Sequence, residues 1–288
     1  MKIPTRLITG CAAFILLLSA VMLSFHQNTA GIPNLNGAPP FAANFSSELL
    51  PKPADGTPAQ FTPEENLFIA MHVFRLIPSL RSETAGTVSA DVFFINYQQS
   101  VRNVRVIQEH EMTTEAVSVS LLKKVGERIV FRENEIRRYR ALSVDENGAV
   151  WTETPDMLTD SMYEEAYGLS PRNLTNYVLN RETILSAAPA AASSLEGTAD
   201  AVPGQELFTY QYELEPQRGT VFYKRQVRSV SGASEDPVFY SVKLILTIDS
   251  EWRPVFLRIY ERYDIQLPVI GNVSCNAELF QTFLYESP

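Results

Sequence analysis

Cysteine and histidine are nearly absent from this chain, with two of the first and three of the second in 288 residues. Cys11 lies in an apolar N-terminal run and Cys275 in a late strand-like segment, so no disulfide is expected to staple the folded part. Cys275 shares a period-two face with Leu279 and Phe283 and reads as a small buried hydrophobe. His26, His72 and His110 fall in no zinc-ligand or triad-like spacing, and His72 lies beside an apolar helical stripe as a structural residue. The G-x-S-x-G, P-loop and dinucleotide glycine patterns are missing. Ser120-Leu121-Leu122-Lys123 does match S-x-x-K, but that chemistry needs both residues on one helical face. In a period-two strand a separation of three puts them on opposite faces. The sequence therefore predicts no catalytic residue, no metal site and no cofactor: this is not an enzyme. Basic charge is also short. Residues 1–30 carry Lys2 and Arg6 and no acid, and the remainder holds 22 basic against 33 acidic residues. Nucleic acid, which is bound mostly through phosphate neutralisation, is excluded as a partner.

What is present begins with an uncharged run of nineteen residues, Leu7–Phe25, behind Lys2 and Arg6. That is close to the ~20 residues that span a bilayer, and the flanking charges place the following chain outside the cytoplasm. Residues 1–27 are thus a transmembrane anchor or a signal segment. Asn28-Thr29-Ala30 is a poor cleavage pattern, which favours a retained anchor. Ile8-Thr9-Gly10-Cys11 has the look of a lipobox, but the apolar run follows Cys11 instead of preceding it. Residues 28–60, rich in Pro, Ala, Gly and Asn, read as a flexible linker. A single domain is expected over 61–288.

Thr62-Pro63-Glu64-Glu65 is a capping box, and Leu67, Phe68, Met71, Phe74 and Leu76 follow at helical spacing. From Thr87 to Glu153 alternating segments with short polar breaks predict an antiparallel meander, with Asn147-Gly148 as its clearest hairpin signal. Helices are expected over Asp160–Tyr167, Pro171–Leu179 and Pro216–Val230, the last ending at Gly232. Ala187–Gln205 reads as a surface loop. The most ordered pattern lies late in the chain. Phe208, Tyr210, Tyr212 and Leu214 share one face; so do Tyr240, Val242, Leu244, Leu246 and Ile248; so do Val255, Leu257, Ile259 and Tyr263. Asp249–Pro254 is the turn between the last two runs.

Two features interrupt these patterns. Arg128, Arg132, Arg137, Arg138 and Arg140 form a basic cluster that could meet lipid phosphates, or could pair with Glu127, Glu133 and Glu135. Glu261 falls on an otherwise apolar face, where an unpaired carboxylate is costly. It predicts either an arginine partner, a strand that twists out to solvent, or a cavity. Sequons stand at Asn44, Asn173 and Asn272.

In order, a targeting segment, a capped helix, a meander, a helical interruption and a strand–helix–hairpin–strand block resemble the lipoprotein-carrier superfamily across Phe61–Glu286. That superfamily includes periplasmic lipoprotein chaperones, glycolipid-carrying lipoproteins and periplasmic regulators of envelope stress. The resemblance implies an α+β fold: a curved antiparallel sheet of about eleven strands, an unclosed half-barrel, with helices on the concave side. It also implies an apolar cavity between the two. Short helices would not fill such a sheet, so Phe94, Tyr210, Leu244, Leu246, Leu257 and Ile259 are the candidate ligand-binding residues. The expected function is an extracytoplasmic, membrane-tethered binding protein for an acyl chain, lipid or lipoprotein moiety. The alternative is an envelope sensor or assembly domain that binds a protein partner without lipid.

Overall fold

The pattern that starts at Thr62 becomes helix α1, Pro63–Leu76. The Glu65 amide donates to the Thr62 hydroxyl, and the Thr62 amide donates to Glu65 Oε2 at 2.8 Å, so the capping box forms as expected. The computed structural model describes Pro53 and residues 56–92, 95–108, 111–120, 124–132, 135–145, 148–154, 172–190, 206–231, 233–268 and 270–285. Asn66, Leu67, Phe68, Ile69, Ala70 and Met71 in α1 are all buried, so this helix is a plug with no wet face along its middle. Leu76, expected on the apolar stripe, is instead exposed at the helix end.

Eleven strands form one antiparallel sheet: β1 Ser79–Val92, β2 Ile95–Gln108, β3 Glu111–Ser120, β4 Lys124–Arg132, β5 Glu135–Asp145, β6 Gly148–Glu153, β7 Ile184–Pro189, β8 Leu207–Leu214, β9 Val238–Asp249, β10 Pro254–Leu267 and β11 Gly271–Leu284. Their order is β6-β5-β4-β3-β2-β1-β11-β10-β9-β8-β7. Two meanders are therefore joined by the last strand, which pairs with β1 on one side and β10 on the other. β6 and β7 stay at opposite edges and the sheet does not close: it is an unclosed half-barrel with few helices. The edges are short, six residues each, and β7 ends in Pro189, which donates no ladder hydrogen bond.

The seam between the two meanders depends on Gly86. A Cβ there would stand 2.1 Å from the Glu278 carbonyl oxygen and 2.8 Å from Leu279 Cα, both backbone atoms of β11. Only hydrogen fits, and that absence lets the strands approach where the sheet turns.

Alternation sends one side chain in two to the covered, inner face. Ile107 sits opposite both Leu80 and Met112, and Phe131 opposite both Met112 and Ile136, giving an apolar row across β1 to β5. A second row runs Tyr212–Leu244–Ile259–Leu279, and a third Tyr210–Leu246–Leu257–Gln281.

Four expectations change. β1 begins at Ser79, eight residues before the alternation is visible in sequence, because the buried position after Leu80 is the polar Ser82, which breaks the apolar series. Residues 172–180 form turns and bends and no helix. Asn180 Oδ1 accepts from the Glu182 and Thr183 amides and the Thr183 hydroxyl donates to the Val178 carbonyl, local bonds that compete with helical ones. The helix expected over Pro216–Val230 is confined to α2, Tyr223–Ser231; Gly219 and the side-chain bonds of Glu215 and Thr220 hold the preceding turn. Finally, Ala187–Pro189, placed in a loop by composition, is the end of β7 and pairs with Tyr212–Tyr210. Asp160–Tyr167 and Gly232 lie outside the described residues, as do residues 191–205.

Candidate functional site on the inner sheet face

The β9–β10 hairpin sets the site. Its turn forms as expected, with Asp249 Oδ1 accepting from the Glu251 and Arg253 amides at 2.8 and 2.9 Å. A register shift between Arg262 and Tyr263 then flips the parity of the β9 start. Phe239 goes inside, and Tyr240, predicted inside, is half exposed and donates to Asp264 on the outer face.

Of the candidate ligand-binding residues, Tyr210, Leu244, Leu246, Leu257 and Ile259 come together on neighbouring strands of this face, between 1 and 7 % exposed. Phe94 lies outside the described residues. The five belong to one core cluster with α1, so in this conformation they are packed. The tyrosine tips are used by the cover: Tyr212 donates to the Pro63 carbonyl at 2.7 Å and Tyr210 to the Pro58 carbonyl at 3.2 Å.

Among the described residues the cover also includes the aperiodic strap, residues 172–180. Its Asn173, Leu174, Thr175, Tyr177 and Leu179 are buried although no helix or strand orders them. Arg105 on β2 donates to the Asn173 carbonyl at 2.7 Å and Arg75 on α1 donates to its Oδ1 at 2.7 Å. Further along, Tyr177 donates to Glu261 on β10, and the Val178 amide donates to the Gly219 carbonyl at 2.9 Å. The strap therefore crosses the inner face from β2 to β10. Asn173 is 4 % exposed in the folded chain.

Two of the three alternatives for Glu261 fail: it does not twist out to solvent and has no arginine partner among the described residues, being 4 % exposed between Val242 and Ala277 on the adjacent strands. Oε1 accepts from the Tyr177 hydroxyl, while Oε2 has no hydrogen-bond partner. Burial pushes the carboxyl up to about 7, and the Tyr177 and Tyr223 hydroxyls that face it hold it from rising further. The Tyr177 and Tyr223 phenols are themselves pushed well above the ordinary tyrosine range, by burial first and by Glu261 second. Around the carboxyl runs an aromatic chain, Tyr177–Tyr223–Phe239–Tyr263, with ring centroids 5.2, 5.8 and 4.7 Å apart. The only sequence sign of this centre was the single acid on an apolar face; its partners come from elements far away in the chain.

The sign of the resulting pH dependence follows. An unfolded glutamate titrates near 4.5 and the folded one near 7, so the native state binds the extra proton between them. Stability is full below about pH 4.5 and is lost as pH rises to about 7. Glu261→Gln is expected to match wild type near pH 4.5 and to exceed it above about pH 8, by up to ~3 kcal/mol, in urea denaturation at the two pH values.

The arginine cluster is occupied across strands. Arg128 meets Glu115 at 2.7 Å and lies over the Trp151 ring, Arg132 meets Glu111 at 2.7 Å, Arg137 meets Glu153 at 3.9 Å and Arg138 meets Glu127. Most partners differ from those adjacent in sequence, because cross-strand register decides them. A shallow polar groove of about 200 Å³ on the outer face, lined by Arg81, Arg102, Val104, Val106, Thr113 and Glu115, lies away from the apolar rows. Ser120 closes β3 and Lys123 lies outside the described residues. No group of three potential metal ligands occurs among the described residues.

No family model and no curated protein matches the chain. Solved structures similar in outline include a DUF1329 family protein from Desulfovibrio piger, 10 % identical, covering 78 % of this chain and 94 % of that one at a TM-score of 0.25. Another is a putative outer membrane lipoprotein-sorting protein domain from Vibrio parahaemolyticus, 10 % identical, covering 72 % of this chain and 86 % of that one at a TM-score of 0.23. At TM-scores this low neither likeness carries weight, and the fold assignment rests on strand order and register.

Proposed function

We propose that this chain is an extracytoplasmic, membrane-tethered binding protein that takes an acyl chain or comparable apolar ligand on the inner face of its half-barrel, with no catalytic step. The observation that carries this is the nature of the cover. Among the described residues, the apolar rows of β8, β9 and β10 are covered by one fourteen-residue helix, one nine-residue helix and a strap without regular secondary structure. Such a cover opens at lower free energy than a hydrogen-bonded sheet, and an apolar concave surface beneath it is where such ligands bind. Because Leu244, Leu246 and Leu257 are packed, the ligand enters by displacing cover. The tether is Leu7–Phe25, which lies outside the described residues; among those described, no helix is long and apolar enough to cross a membrane.

Full-length protein purified from membranes is expected to yield lipid on organic extraction and to bind a fluorescent fatty-acid analogue saturably. Leu246→Trp should lower that binding while costing about 1–3 kcal/mol of stability, the usual overpacking penalty. No extracted lipid together with no saturable binding would replace this function with that of a sensor or assembly domain for an envelope protein.

A further inference from the structure

We propose that Glu261, buried beneath the strap, is a proton-controlled clasp: a neutral carboxyl tolerates the cover of strap 172–180, and an ionised one, whose burial costs more than the Tyr177 hydroxyl returns, drives the strap away from β9 and β10. Within the ligand-holding role proposed above, this is the step that admits or releases the ligand.

Geometry supplies the two-state element. The strap has no backbone ladder of its own and is pinned at few points along its length. At one end Asn173 is held by Arg75 and Arg105, whose charges are fixed at any ordinary pH. Toward the other end, beyond the local Val178 and Asn180 bonds to Glu182 and Thr183, the polar links to the rest of the cover and the sheet are the Val178 amide to Gly219 and the Tyr177 hydroxyl to Glu261. Only the last involves an acid that can lose its charge state near neutrality. Its other oxygen is buried without a partner, so ionisation strands a charge that water would solvate if the strap lifted.

Among the described residues, the groups that face Glu261 offer no cation to absorb that charge. From the strap comes Tyr177, from α2 Tyr223, from its own strand Tyr263, and Cys275 of β11 lies near Tyr263; the opposite residues Val242 and Ala277 are apolar. Lys224, next to Tyr223, is coupled to Asp236 and Glu215. The three phenols and the thiol are all pushed upward and stay neutral through the relevant range. Glu261 alone titrates there, at about 7. With the open strap exposing a carboxyl of ordinary pKa, the opening equilibrium grows as pH rises from about 4.5 to about 7 and is flat above.

Hydrogen exchange on the full chain, read by mass spectrometry and corrected for the intrinsic pH dependence of exchange, tests this without any ligand. Between about pH 5 and about pH 8, protection of the strap amides should fall on the order of 50-fold in wild type, and at each pH they should be less protected than the β9 and β10 amides, as an opening short of global unfolding requires. Glu261→Gln, neutral at all pH values, should abolish the strap's pH dependence. Tyr177→Phe, which keeps the ring, should lower strap protection already at pH 5. Parallel loss of protection in wild type and Glu261→Gln, or strap amides as protected as those of β9 and β10 at every pH, would overturn the clasp. If Glu261→Gln does not fold, the wild-type contrast between strap and β9 decides alone. A chain that shows the pH-dependent strap but binds no acyl probe keeps the clasp and loses the ligand assignment.

Discussion

Trp252→Ala is expected to destabilise the folded chain by about 3–5 kcal/mol, the usual cost of emptying a buried aromatic site. Trp252 is 1 % exposed at the tip of the β9–β10 hairpin, with its ring edge-on to Phe61 at 5.7 Å. Its Nε1 donates to Asn66 Oδ1 at 2.7 Å, and Asn66 Nδ2 donates to the Pro58 carbonyl at 2.9 Å, so the hairpin is bolted to the start of α1. The backbone is left-handed there, with φ of 57°, a conformation that costs a non-glycine residue about 1–2 kcal/mol. That strain persists because the ring and its hydrogen bond over-determine the position. Trp252→Phe separates the contributions: the ring is largely kept, Asn66 Oδ1 is left unsatisfied, and about 1–3 kcal/mol should go. Denaturant midpoints at unchanged slope are the check, since a changed slope would signal altered compactness instead.

Gly86→Ala is expected to cost more than its one methyl group suggests, about 3 kcal/mol or beyond, and to give largely insoluble protein. The added carbon would meet the backbone of β11, which no rotamer change can move. Relief requires β1 and β11 to separate, and theirs is the one strand pairing that joins the two meanders. Gly126→Ala is the matched control. Its Cβ would stand 3.0 Å from the Ala141 side chain and 3.1 Å from Trp151 Cη2, contacts that can give by a few tenths of an ångström. A cost near 1 kcal/mol is expected there. Equal effects of the two substitutions would mean that β11 adjusts freely and that the seam is not tight.

Much of this architecture is legible from local pattern. The capping box at Thr62, the meander, the Asp249–Pro254 turn and the inner residues Leu244, Leu246, Leu257 and Ile259 need only periodicity and turn chemistry. What is not legible depends on partners distant in sequence. The start of β1 is hidden because its buried Ser82 is polar, and the Gln281 that donates to it lies 199 residues away. The strap resembles a helix in composition, and only the bonds of its Asn and Thr side chains show why it is none. Glu261 is conspicuous in sequence, but its partner Tyr177 is 84 residues away, on the very segment mistaken for a helix. Trp252 and Asn66 are 186 residues apart, and neither position carries a local sign of the other.

The most direct test of an acyl ligand on the inner face is where a photoactivatable fatty acid attaches. Irradiated with the full-length chain in detergent micelles and mapped by peptide mass spectrometry, the probe should label β8, β9 and β10 at or beside Tyr210, Leu244, Leu246, Leu257 and Ile259. Excess unlabelled fatty acid should suppress that labelling. Attachment confined to Leu7–Phe25 and the outer face, unaffected by competitor, would contradict an acyl site in the half-barrel.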